Sequence, residues 1–231
     1  MEMSAEGASR RVFQGEALGW LSANPADPAA SVITSLPDVS EIPTLDLAAW
    51  RVWFVEAARA VIRWIPPANV AIFYQSDILD GGEWVDKGYL VQRAAELEGA
   101  ILVFHKIVCR KPPGTIGIGR PTYSHMIAVT RESRGVAVRP GPDVLPDAGA
   151  MGWSKAMGLE ACRVACEFLR DETATRVVVD PFCGRGSVLA VANALGFDAI
   201  GVDLVASRCR VARNATYVLA DVTSPERPSA L

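Results

Sequence analysis

The 231-residue sequence carries no marked excess of either charge: 23 Lys and Arg stand against 26 Asp and Glu, a net charge of −3. The broad basic footprint of a free-standing nucleic-acid binder is therefore missing, and only a local patch could serve that purpose. Histidine is nearly absent, with His105 and His125 the only two. The five cysteines form no C-x-x-C pair. A zinc site would need an unlikely assembly from so few ligands, so no metal is expected. An odd number of cysteines without a disulfide framework reads as reduced thiols, with the cytosol as the expected compartment. Cys162 and Cys166 lie four apart, on one face of a helix, and read as small buried apolar residues. No apolar run reaches the ~18 residues of a membrane span. The opening MEMSAEGASRR has no apolar h-region, so neither a secretory signal nor a membrane partner is expected.

What is present is apolar residue: half the chain is hydrophobic, enough for one sizeable core without metal or disulfide staples. Strand-like and helix-like segments alternate, which predicts an α/β fold with a largely parallel sheet. Short strands are expected at Arg11 to Gln14 and Ser31 to Ser35, with a short helix between them ending near Ala23. Apolar residues at helical spacing from Leu45 to Trp64 predict a helix, capped by Thr44 and ended by Pro66-Pro67. Trp50, Trp53 and Trp64 follow that spacing and read as core or interface residues. Further on, a strand is expected at Val70 to Tyr74, a helix at Trp84 to Leu97, and strands at Ile101 to Cys109 and Met126 to Thr130. A Gly- and Pro-rich loop joins the last two. A connector is expected at 135–150. Ser154 to Arg170, Gly186 to Leu195 and Ala206 to Asn214 are predicted helices, with strands at Arg176 to Val179 and Ala199 to Val202. Tyr217 to Asp221 is a candidate last strand. Residues 1–10 and 223–231 read as flexible tails around one domain at 11–222.

The segment RVVVDPFCGRGSVLAVANALGFDAIGVDL carries the most chemistry. Val177 to Val179 is a continuous apolar run, as in a strand covered on both faces. Asp180 then sits at the strand's carboxyl end, where open α/β sheets bind ligands. Gly184 and Gly186 let the backbone approach a ligand without a Cβ in the way. The helix that follows points its N-terminal amides toward that ligand. Asp203 ends the next strand, in the right place to accept hydrogen bonds from a ribose diol. A dinucleotide fingerprint would need a third glycine where Leu189 stands. An acid before the loop also suits a cationic ligand better than a pyrophosphate. S-adenosylmethionine, with its amino group and sulfonium, fits that description.

Asp180-Pro181-Phe182-Cys183-Gly184-Arg185-Gly186-Ser187 resembles the D-P-F-x-G-x-G-[ST] motif of amino-methylating nucleic-acid methyltransferases. The stretch from Gly15-Glu16 to Ser35-Leu36-Pro37-Asp38 resembles that family's other half, where a G-D or G-E pair leads to a [DNS]-P-P-[YFW] tetrapeptide. The catalytic half comes first and the cofactor loop last, as in the circularly permuted beta-type group of DNA amino-methyltransferases. The likeness runs from about residue 11 to 214. It implies a Rossmann-like fold with a mostly parallel seven-stranded sheet, one antiparallel strand and helices on both faces. The catalytic half would be 11–134 and the cofactor half 151–222. It also implies cofactor contacts from Glu16, Ser35, Lys155, Asp180, Pro181, Phe182, Cys183, Gly184, Gly186, Ser187, Asp203 and Leu204. Asp221 is a second candidate for the adenosine contact given to Glu16. Ser35, Pro37 and Asp38 are the implied catalytic residues.

Two departures bear on the substrate. Leu36 replaces a proline, and Asp38 replaces the aromatic residue that in the family stacks on the flipped base. Asp38 is expected to act as a proton acceptor or a hydrogen-bond acceptor, or else to cap a turn after Pro37. The connector is also too short to fold into a DNA-reading module. For that reason RNA, for example tRNA, is the expected substrate, and Lys106, Arg110, Arg120, Tyr123 and His125 are its expected contacts. The alternatives are a DNA adenine-N6 or cytosine-N4 methyltransferase, and a cofactor-binding but silent partner subunit. A homodimer is left open beside them.

Overall fold

The computed structural model describes residues 7–132, 141–153 and 156–218. Its centre is one eight-stranded sheet. In chain order the strands are β1 (Arg10–Gln14), β2 (Ala30–Thr34), β3 (Val70–Gln75), β6 (Ile101–Cys109), β7 (Tyr123–Thr130), β8 (Val144–Leu145), β9 (Val177–Asp180) and β10 (Asp198–Asp203). Across the sheet the order is β1-β10-β9-β2-β3-β7-β6-β8. Only β7 runs against its neighbours, pairing antiparallel with both β3 and β6. Seven strands and one reversal match the expectation. The eighth is the two-residue β8, with which the connector pairs beside Ile107 and Val108.

Helices cover both faces. On one, α1 (Ala17–Ala23), α2 (Leu47–Trp64) and α3 (Lys87–Leu97) pack on Val32, Phe73, Ile127 and Val179. On the other, α4 (Leu159–Glu172), α5 (Ser187–Ala194) and α6 (Ala206–Asn214) pack on Ile33, Ile72, Ala128 and Val178. Neighbouring residues along a strand thus serve opposite layers, which is why the central strands read as unbroken apolar runs. Among the described residues no helix is long and apolar enough to cross a membrane.

Several boundaries differ from the sequence reading. Asp46, not Thr44, caps α2, accepting the Ala49 amide at 2.8 Å. Trp84 belongs to a hairpin, β4 (Ile78–Asp80) and β5 (Glu83–Val85), and α3 begins only after its cap Asp86 accepts the Tyr89 amide. The tight turn at Gly81-Gly82, both at positive φ, makes that hairpin possible. The helix expected from Ser154 starts at Leu159. Ser9 and Arg10 are held rather than loose, since the Ser9 amide and hydroxyl both donate to Asp198 Oδ1. Tyr217 and Val218 form no strand. Asp221 lies outside the described residues, as do residues 1–6 and the rest of 219–231.

Candidate active site

The carboxyl ends of β1, β2, β9 and β10 open onto one cavity of about 720 Å³. Its lining brings together Glu16, Ser35, Pro37, Asp38, Arg110, Arg120, Asp180, Pro181, Phe182, Cys183, Gly184, Ser187, Asp203 and Leu204. Residues from both ends of the chain therefore share one site, and the backbone joins them directly: the Gly15 amide donates to the Asp203 carbonyl at 3.1 Å.

The glycine loop is held by its own acids. Asp180 Oδ1 accepts the Thr34 hydroxyl at 2.7 Å and the Phe182 amide at 3.1 Å. Burial nevertheless pushes its carboxyl up to about 7, with the charge of Asp203 adding to the shift and the two hydrogen bonds opposing it. Asp203 accepts the Gly184 amide at 3.1 Å and the Val205 amide at 2.7 Å, and Arg208 approaches it at 3.7 Å. A carboxylate has about four lone-pair sites, so these bonds leave room for a hydroxyl donor. Glu16 caps α1, accepting the Leu18 and Gly19 amides at 2.9 and 2.6 Å. Glu16 lines the cavity, while the alternative Asp221 lies outside the described residues.

Gly184 has φ +54°, and a Cβ there would lie 3.2 Å from the Trp153 ring. That ring carries the Arg185 and Arg208 guanidiniums at 5.4 and 5.2 Å. Gly186 does not line the cavity. It begins α5 at φ +83°, where a Cβ would come within 2.8 Å of Ala212 in α6. Its glycine is required by helix packing, a correction to the expected ligand approach. Cys183 is buried against Gly201, and burial pushes its thiol well up, so it fills space and is not a nucleophile. Lys155 lies outside the described residues.

The tetrapeptide forms the opposite wall. Leu36 is buried in the core beneath α2, and the Trp50 indole donates to the Pro37 carbonyl at 3.2 Å. The Ser35 side chain makes no hydrogen bond among the described residues and borders the cavity. Asp38 stands at the N-cap of the short turn Val39–Glu41, and its amide donates to Glu41 at 3.2 Å. Its carboxylate does more: Oδ1 pairs with the Lys87 ammonium, whose side chain is only 3% exposed. Lys87 escaped sequence reading because lysine patterns as solvated surface, and its partner lies far away in the chain. Trp53 and Tyr74 were missed as well. Trp53 meets the Phe182 ring edge-on at 6.2 Å on the cavity wall. Tyr74 also lines the cavity; its hydroxyl is buried, and burial raises its pKa, with Ser124 opposing the shift.

Three expected substrate contacts are turned elsewhere. Lys106 donates to the Pro142 carbonyl at 2.8 Å and lies over Phe104, holding the connector. His125 is 6% exposed, with one ring nitrogen 3.0 Å from Asp77 and the other 2.9 Å from His105. Tyr123 donates to Asp77 at 3.2 Å and meets His125 edge-on. Burial opposes ionisation of Asp77, but the His125 hydrogen bond and charge, with the Lys87 amide, outweigh it and hold the carboxyl below its usual range. Burial first, then the charge of His125, lowers the pKa of His105. His125 is therefore too buried to stack on a base, and the half-buried Tyr123 is tied to the same network. Their network instead fixes the backbone of Lys87, whose amide donates to Asp77 at 2.9 Å.

The residues present fit S-adenosylmethionine. A positive-φ glycine lies beside a carboxylate at a strand tip, and a second carboxylate ends the neighbouring strand in the same cavity.

No family model matches the chain, and no curated protein does. Solved structures do. TTHA0409 of Thermus thermophilus, which carries the provisional name of DNA modification methylase and was solved with S-adenosyl-L-methionine, aligns with a TM-score of 0.67 at 19% identity, over 90% of this chain and 94% of that one. PvuII DNA methyltransferase, cytosine-N4-specific, aligns with a TM-score of 0.69 at 14% identity, over 93% and 89%. The M1.HpyAVI–SAM complex aligns with a TM-score of 0.62 at 12% identity, over 89% and 98%. The architecture of this chain is thus the circularly permuted, Rossmann-like methyltransferase fold.

Proposed function

We propose that this chain binds S-adenosylmethionine and methylates an exocyclic amine of a nucleic-acid base, with DNA the favoured substrate. The observation that carries this reading is the single cavity in which the loop from Asp180 to Ser187 faces the tetrapeptide from Ser35 to Asp38. Asp180, Asp203 and Glu16 hold the cofactor, which supplies an electrophilic methyl group on its sulfonium. Ser35 and the Leu36 carbonyl accept hydrogen bonds from the target amine and orient its lone pair; positioning of this kind contributes several kcal/mol. Asp38 offers a further acceptor whose orientation Lys87 sets, and Trp53 and Phe182 supply the apolar wall.

The preference for DNA replaces the expectation of RNA, which rested on the missing DNA-reading module. TTHA0409 spans nearly the same length as this chain and also carries a DNA methylase name. A compact chain is therefore no argument against DNA. Methyl transfer from labelled S-adenosylmethionine to DNA and to total RNA, followed by nucleoside mass spectrometry, tests the reading. N6-methyladenine or N4-methylcytosine in DNA is the expected product. Label in RNA alone would reinstate the RNA reading. Tight cofactor binding with no transfer to either would mark a silent partner subunit.

A further inference from the structure

The hairpin loop between β6 and β7 gives Arg110 and Arg120 to the cavity wall. Its tip has no part in the chemistry described so far, yet the loop's form is specific. Arg110 and Lys111 donate their amides to the Thr122 carbonyl at 2.7 and 3.1 Å and close its stem. Inside, the Thr115 amide donates to the Pro112 carbonyl at 3.1 Å, and Gly114 and Gly119 take positive φ. Gly117 lies so near the Arg120 carbonyl that a Cβ would come within 2.4 Å of it. The loop is a folded projection with defined turns.

Its tip is apolar. Ile116 is 88% exposed and Ile118 is 95% exposed. Isolated exposed apolar residues are ordinary. Two nearly bare isoleucines two residues apart, on a loop whose turns hold them outward, contribute nothing to the core. Arg110, Lys111 and Arg120 flank them, and Arg110 and Arg120 also line the active-site cavity. In a chain of net negative charge, no Asp or Glu occurs between Glu98 and Glu132, a stretch that holds Lys106, Arg110, Lys111, Arg120 and Arg131. The partner that fits is a polyanion with an apolar interior, lying across the mouth of the cavity.

We infer that Ile116 and Ile118 form a wedge that enters a nucleic-acid duplex beside the target base, while Arg110, Lys111 and Arg120 hold the flanking phosphates. This rests on the nucleic-acid reading above. A base inside a duplex cannot reach a cavity of this kind without leaving the stack. Apolar side chains inserted between base steps are an established way of supporting unstacked DNA. The wedge fills the space left by the extruded base. It also provides contact that the tetrapeptide, with Asp38 in place of an aromatic ring, does not provide by stacking.

The test uses the full chain and the double variant Ile116→Ser/Ile118→Ser, whose exposed side chains leave the folded state intact, as an unchanged melting temperature checks. Methyl transfer is measured on unmodified genomic DNA as duplex and after heat denaturation to single strands. The expected result is a loss of about tenfold or more on duplex, with less than about twofold change on single strands, because only the duplex requires unstacking. Equal loss on both forms, or no loss on duplex, overturns the wedge. If the unaltered chain methylates neither form while still binding the cofactor, the substrate reading has failed and the wedge falls with it. Binding to vesicles of three parts phosphatidylcholine to one part phosphatidylglycerol is measured in parallel. Vesicle binding that the double variant loses, with duplex methylation unchanged, would assign the tip to a lipid surface instead.

Discussion

The buried carboxyl of Asp180 makes cofactor affinity depend on pH in a calculable way. Its pKa stands near 7 in the ligand-free cavity, chiefly because burial disfavours its charge. A cationic ligand binds best to the ionised form. At pH 6 about nine-tenths of the sites are protonated, and ionising them costs about 1.4 kcal/mol, a factor of about ten in affinity. At pH 8 that penalty is nearly gone. The Kd for S-adenosylmethionine should therefore fall about tenfold from pH 6 to pH 8. Calorimetry in buffers of different ionisation enthalpy should show a proton released on binding at pH 6. The amino group of the ligand titrates in the same region, so the comparison is with Asp180→Asn, which should bind more weakly and lack the Asp180 share of this slope. An equal slope in the two proteins, or no proton release at pH 6, would refute the reasoning.

The same group predicts the stability of the ligand-free protein. A carboxyl with a raised folded pKa binds its proton more tightly when folded. Stability should then fall as pH rises from about 4 to about 7 by on the order of 4 kcal/mol from this group, and Asp180→Asn should flatten that part of a denaturation profile. Asp38→Asn strands the buried Lys87 ammonium, so it should destabilise by about 3 kcal/mol and abolish methyl transfer. Lys87→Met should cost less, because the better-exposed Asp38 can hydrate; urea melts of the two variants check the order. Gly186→Ala combines a positive φ with a clash at Ala212 and should destabilise by more than about 1 kcal/mol, measured the same way.

How much of this was legible depended on how far apart the interacting residues lie. The α/β order, the strand at Ile101–Cys109, the helix at Ala206–Asn214 and the glycine loop are written in local runs of apolar residues, glycines and acids. The β4–β5 hairpin was not, because strands of three residues show no periodicity and Trp84 fitted a helical pattern. The Asp77–His125–His105 network and the Lys87–Asp38 pair join residues from separate elements, and only the folded sheet puts them in reach. Residue type misled at Lys106 and His125, which read as substrate contacts and serve the fold. Gly186 was correctly singled out for the wrong reason: the atom it makes room for belongs to α6, not to a ligand.

The pairing of β1 with β10 also governs the order of assembly. Arg10 to Gln14 align with Ala199 to Asp203, and the Arg10 guanidinium donates to the Ala212 and Ala215 carbonyls. β1 therefore finds its neighbour only after the intervening sequence of the seven other strands, up to β10, has been synthesised. Contacts of such sequence separation slow folding and leave strand edges open meanwhile. β10 has an unsatisfied edge until β1 docks, and the Gly15–Asp203 backbone bond that closes the cavity forms in the same event. Completion of the sheet and completion of the cofactor site are one step, so a chain arrested before β1 docks would have a nearly complete core and no binding activity.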